Sequence, residues 1–221
     1  MYPDSSRKQS ISLLHTLLTL VHKGGPGSGD FGHAGRPPLE GGSAPANSRL
    51  EGSSKQRPWS EEFETHLQDI ENTQLQRSKK EAAFVISPDG TILHKLDGSK
   101  FLLNIPNAIH ESLPGTVFTH THIEETPVSS MDFHLLFVFD LQQIRAITPT
   151  HRYILAQPDP PFTDTEKIDI QHEFTNLVDD YLHEKNRGRE LKSAKRLREM
   201  LEPIYTHLSK TTRLIYSKEP L

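Results

Sequence analysis

The feature that most restricts this chain is a stretch that cannot pack. Nine of its 13 glycines fall between Gly24 and Gly52, beside Pro26, Pro37, Pro38, Pro45, many serines and almost no apolar residues. Such a segment buries too little surface to offset its ordering entropy. Residues 24–58 therefore read as a disordered Gly/Pro/Ser-rich linker. The low hydrophobic content, 33% over 221 residues with a mean hydropathy of -0.58, agrees with an unpacked part. Before the linker, residues 1–23 read as a short amphipathic helix with Leu14, Leu17, Leu18 and Val21 near one face. Everything else must fold from residues 59–221.

Composition narrows the chemistry. The chain has no cysteine, which excludes disulfides and thiolate metal sites and leaves His, Asp, Glu and carbonyls as ligands. A net charge of -4 argues against a chain that coats nucleic acid along its whole length. Apolar runs are too short for a membrane span, so no membrane partner is expected.

From Trp59 to Lys80 the pattern is helical: Ser60 caps, and Phe63, Leu67 and Ile70 share a face. Strands follow. Residues 81–87 and 91–96 flank a Pro88-Asp-Gly turn and form a hairpin, and residues 101–105 read as a third strand. Pro106 and Pro114 bracket one or two helical turns. Val117, Phe118 and Thr119 begin another strand, residues 131–139 form an apolar helix, and residues 144–148 and 152–155 form two more strands. This is an α+β order, a mixed β-sheet with flanking helices, over residues 59–157. Residues 158–221 read as a C-terminal helical extension, with amphipathic helices over 164–183 and 190–209 broken near Gly188. The second carries Arg187, Arg189, Lys192, Lys195, Arg196 and Arg198, a solvated face or a contact for nucleic acid or an acidic partner. Residues 213–216 read as a last strand or a docking segment.

The strand that starts at Val117 delivers His120 and His122. Residues two apart on a strand share a face, so both imidazoles can reach one ion. Ten residues after His122 comes Asp132, just inside a helix that Ser129 caps. Two His and one Asp leave a fourth tetrahedral position for water, the arrangement of a catalytic zinc. Glu124 and Glu125 either add a ligand or face solvent.

Glu81, the hairpin, the His-x-His strand end and the Ser-x-x-Asp helix start together resemble the JAMM (JAB/MPN) metalloprotease fold. The likeness is to its RadC-like branch and to the shortened version found in phage head-morphogenesis and polyvalent proteins. It spans residues 81–155. It implies that His120, His122 and Asp132 bind Zn2+, that Glu81 holds and deprotonates the water, and that Ser129 steadies the oxyanion. The sequence departs from the family at Ile123, where a Pro is expected, and in a loop one residue shorter than in the peptidases. Residues 24–37 also resemble a Gly-rich motif of phage head and portal-associated proteins. These resemblances imply a zinc peptidase or isopeptidase-like hydrolase of phage or prophage origin, acting on a phage structural protein or peptide in the bacterial cytoplasm or the virion. The alternative is a non-catalytic head-morphogenesis binding module on the same fold.

Overall fold

A computed structural model describes residues 59–75, 80–99, 104–183 and 194–221. The expected N-terminal helix and linker, the strand residues 101–103, and the break with Arg187, Arg189 and Lys192 lie outside the described residues. The described chain belongs to one compact unit, Ser54–Leu221.

Its centre is a six-stranded mixed sheet. The strands are β1 (Ala82–Ile86), β2 (Ile92–Asp97), β3 (Val117–Thr121), β4 (Gln143–Ile147), β5 (His151–Ala156) and β6 (Ile215–Pro220). Their spatial order is β2-β1-β3-β4-β5-β6. Only β3 and β4 are parallel; every other neighbouring pair is antiparallel. The helices are α1 (Glu61–Ile70), α2 (Ser130–Val138), α3 (Asp164–Tyr181) and α4 (Ala194–Thr211).

Both faces of the sheet are covered, so β1, β3 and β4 are buried along their whole length. Of these only β1 reads as a continuous apolar run; β3 and β4 also bury Thr119, His120, Gln143 and Arg145. Alternate residues Ala83, Val85, Phe118, Ile144, Ala146, Tyr153 and Leu155 pack beneath α2, α3 and α4. A stack of rings ties those helices together: Phe133 lies 4.1 Å from Phe174, and Tyr205 lies 5.9 Å from both. The intervening residues Ala82, Phe84, Ile86, Val117 and Ile147 meet α1 through Leu67 and Ile70.

The α1 face also buries charge. Arg145 in β4 has no exposure, and its guanidinium donates to Glu64 at 2.8 Å and to Glu71 at 2.6 Å. Arg152 also donates to Glu71, and Thr119 adds a bond at 2.8 Å. Burial opposes ionisation of Glu64, yet the Arg145 guanidinium holds its carboxyl below the usual range. Glu71 begins a π-helical turn, Glu71–Leu75, that continues α1. The helix expected to run to Lys80 is thus regular only to Ile70, and Lys80 lies in a bend.

Two further expectations are modified. Asn104 and Ile105 are irregular, so the strand expected over 101–105 is absent from its described residues. Residues 158–221 do more than extend the domain. Phe162, Ile170, Phe174, Leu201 and Leu208 enter the core beneath α2, and β6 pairs with β5 from Ile215 to Pro220. No helix among the described residues is long and apolar enough to cross a membrane.

Replacing Arg145 with Met would strip Glu64 of its cation and leave Glu71 with Arg152 alone. Breaking a buried pair on one side costs about 3–5 kcal/mol. The urea midpoint of the variant should fall accordingly; a change of under about 1 kcal/mol would show that the network contributes little.

Candidate metal centre

The parallel pairing of β3 with β4 requires a crossover, and α2 is its helix. The start of α2 therefore returns to the carboxyl end of β3, where His120 and His122 emerge. His120 is the fourth residue of β3, on the face covered by α2, and is 3% exposed. His122 lies one residue past the strand, but its N–H still donates to Ile147 O at 2.8 Å and prolongs the β4 ladder. Between them Thr121 points to the other face, where its hydroxyl accepts from Ala82 N at 2.9 Å.

Ser129 caps α2 as expected. Its Oγ accepts from Asp132 N at 3.1 Å, and its own N–H donates to Asp132 Oδ2 at 2.8 Å. This reciprocal box satisfies two otherwise orphaned donors and fixes the Asp132 carboxylate. Asp132 Oδ2 then lies 3.3 Å from His120 Nε2 and 3.4 Å from His122 Nε2, with 2.9 Å between the two nitrogens.

These separations have a chemical meaning. His122 Nδ1 lies 3.0 Å from Thr126 O, which can only accept, so the Nδ1 hydrogen is donated there and Nε2 carries the lone pair of the neutral ring. With His122 Nε2 and Asp132 Oδ2 as acceptors, the 2.9 Å approach of His120 Nε2 requires either its own hydrogen or a metal ion among the three atoms. Tetrahedral ligands bonded at about 2.0–2.1 Å are about 3.3–3.4 Å apart. Both His–Asp edges match that spacing. His120, His122 and Asp132 thus form a group able to hold a metal ion.

Electrostatics follow from burial and charge. Burial opposes ionisation of Asp132, but the two imidazoles hold its carboxyl well below the usual range. Burial also disfavours charge on His122, yet Asp132, the Thr126 carbonyl and Glu81 together raise its pKa. Glu81 precedes β1, which pairs with β3 so that Ala83 faces His120. Continuing that antiparallel register by two residues sets Glu81 opposite His122, on the same face of the sheet. Glu81 is half-buried, and that burial raises its pKa; the charges of His122, His120 and Asp132 all act on it. It is not one of the three converging groups.

The loop after His122 supplies no fourth carboxylate. Glu124 is exposed, whereas Glu125 Oε2 accepts from Thr148 at 2.9 Å and lies 3.7 Å from His151 Nδ1. Thr126 supports the site although no spacing rule singled it out; its hydroxyl also lies 2.9 Å from His122 Nδ1. The only hint was its place four residues after His122 and just before Pro127. His134 is half-buried against Phe174 and bonds Gln171. His94 bonds Ser112 at 2.8 Å. Of the basic helix residues, Arg196 and Arg198 are half-buried. No family model, curated protein or solved structure matches the chain.

Protons and metal compete for these atoms. Because His122 binds its proton more tightly than a free imidazole, metal affinity should decline as pH falls, beginning above the usual imidazole range. In metal-free protein the two linkages have opposite signs. The contribution of Asp132 is complete above its unfolded pKa of about 3.9 and is lost as pH falls through the lower folded value. The contribution of His122 is complete below about pH 6.5 and is lost as pH rises through the higher folded value. Urea unfolding from roughly pH 2 to pH 9 checks both slopes, and cobalt titrations over the upper half of that range check the competition with protons.

Proposed function

We propose that this chain is a zinc-dependent peptidase or isopeptidase-like hydrolase on a JAMM-like fold, of phage or prophage origin. The observation that carries the reading is the triangle of His120, His122 and Asp132, with Glu81 two residues before the Ala83–His120 pair and within electrostatic reach of all three. Two imidazoles and one carboxylate suit zinc and leave one of four positions open. The three residues would hold zinc, which would supply a water whose pKa falls from about 15.7 to about 7.

The surrounding residues divide the remaining work. Glu81 accepts the proton of the attacking water and returns it to the departing amine; a pKa raised by burial brings a carboxylate nearer to neutral pH, where such transfer works best. Ser129 Oγ accepts the amide of Asp132, which uses a lone pair and leaves its O–H able to donate towards an oxyanion. Thr126 keeps the His122 lone pair directed at the ion-holding group. The substrate class is a peptide or a phage structural protein, met in the bacterial cytoplasm or the virion.

Purified full-length chain should contain about one zinc, and His120→Ala or Asp132→Ala should lose it. Glu81→Gln should keep the metal while kcat on phage structural peptides falls by about 10²–10⁴-fold. Zinc without cleavage of any such peptide would leave the binding module as the reading. Absence of zinc from a chain that is folded would remove both zinc and hydrolysis.

A further inference from the structure

Asp132 is held by a peptide group whose other end is occupied. The carbonyl of Val128 and the N–H of Ser129 belong to the same peptide unit. That N–H donates to Asp132 Oδ2 at 2.8 Å, and Oδ2 is the oxygen that faces both imidazoles. The carbonyl oxygen accepts from Tyr205 Oη at 3.0 Å. The same hydroxyl lies 3.2 Å from Ser129 O, which also receives the first helical bond of α2 from Phe133 N at 3.0 Å. Tyr205 sits on α4, has no exposure and is wedged by its ring against Phe133 and Phe174. It has little freedom to move.

We propose that Tyr205 is a positioning residue for the ion-holding group, acting on Asp132 through the Val128–Ser129 peptide. Turning that peptide would remove its N–H from Asp132 and strand a buried carbonyl. The Tyr205 hydroxyl prevents the turn and, by bonding the carbonyl, polarises the N–H at the other end. The Ser129 N–H is the partner bonded directly to Asp132, and partners of that kind set metal affinity by about 10–100-fold; Tyr205 acts one hydrogen bond further out, through the same peptide. A second tyrosine supplies the control. Tyr216 Oη is also buried, has no hydrogen-bond partner among the described residues, and its ring lies 5.7 Å from that of Tyr205. It is identical in chemistry but touches no part of the Asp132 turn.

The proposal rests on the metal-holding reading, and one set of titrations separates them. Co2+ is titrated into full-length wild type, Tyr205→Phe and Tyr216→Phe, following visible absorption and thermal midpoint with and without the ion. Wild type and Tyr216→Phe should bind alike, and Tyr205→Phe about tenfold or more weakly with an altered spectrum. Equal affinity and spectrum in a folded Tyr205→Phe would overturn the role of Tyr205 alone. Failure of wild type to bind Co2+ would overturn the metal reading and this inference with it. Should Tyr205→Phe not fold, the wild-type Tyr205 hydroxyl proton provides the second measurement. Buried and donated, it should be visible by NMR and shift when Zn2+ is added; an unmoved resonance would refute the coupling.

Discussion

Parallel pairing of β3 with β4 is the constraint from which the rest follows. Two antiparallel strands can be joined by a tight turn, but two parallel ones must be bridged by a segment that travels back. Here α2 makes that return, so its first turn lies at the end of β3 from which His120 and His122 project. The capping box then aims Asp132 at them. A helix start leaves four N–H groups unpaired, which favour a carboxylate, and Asp132 takes one from Ser129. Topology brings the three groups together, and capping sets their distances.

The two faces of the sheet are held by different means. Beneath α2, α3 and α4 the contacts are apolar and aromatic. Beneath α1 a cluster of two arginines and two glutamates sits among Leu67, Phe84 and Ile86. Charges of that kind give little net stability over an apolar core, but they tolerate few alternative arrangements. They fix how α1 lies on β4 and β5, and so hold β4, the strand that borders β3 in parallel.

What could be read from the sequence was local. His120, His122, Ser129 and Asp132 were legible because strand period and helix capping act over a few residues. Most strands were legible because Pro88, Pro114 and Pro149 punctuate them. The rest depends on contacts between distant positions. Nothing near Glu71 signals that it meets Arg145 and Arg152, and charged residues in a helical pattern ordinarily face water. The helix forecast to Lys80 is regular only to Ile70, and the π-helical turn that follows it, Glu71–Leu75, begins with the glutamate that meets both arginines. Residues 158–221 looked like an appendage because amphipathic helices do not reveal what they cover. Tyr205, like any tyrosine on an apolar face, gave no sign of its hydrogen-bond partner.

The position of Tyr205 on α4 also has a temporal side. A ribosome makes His120, His122 and Asp132 well before it makes the residue that braces their turn, 77 positions beyond Val128. During synthesis the middle strands can associate while that turn is still unsupported, since chains fold progressively from the amino end. A nascent domain would then pass through a stage with all three ligands present and their grip on a cation loose, and it would tighten only when the last helix docks.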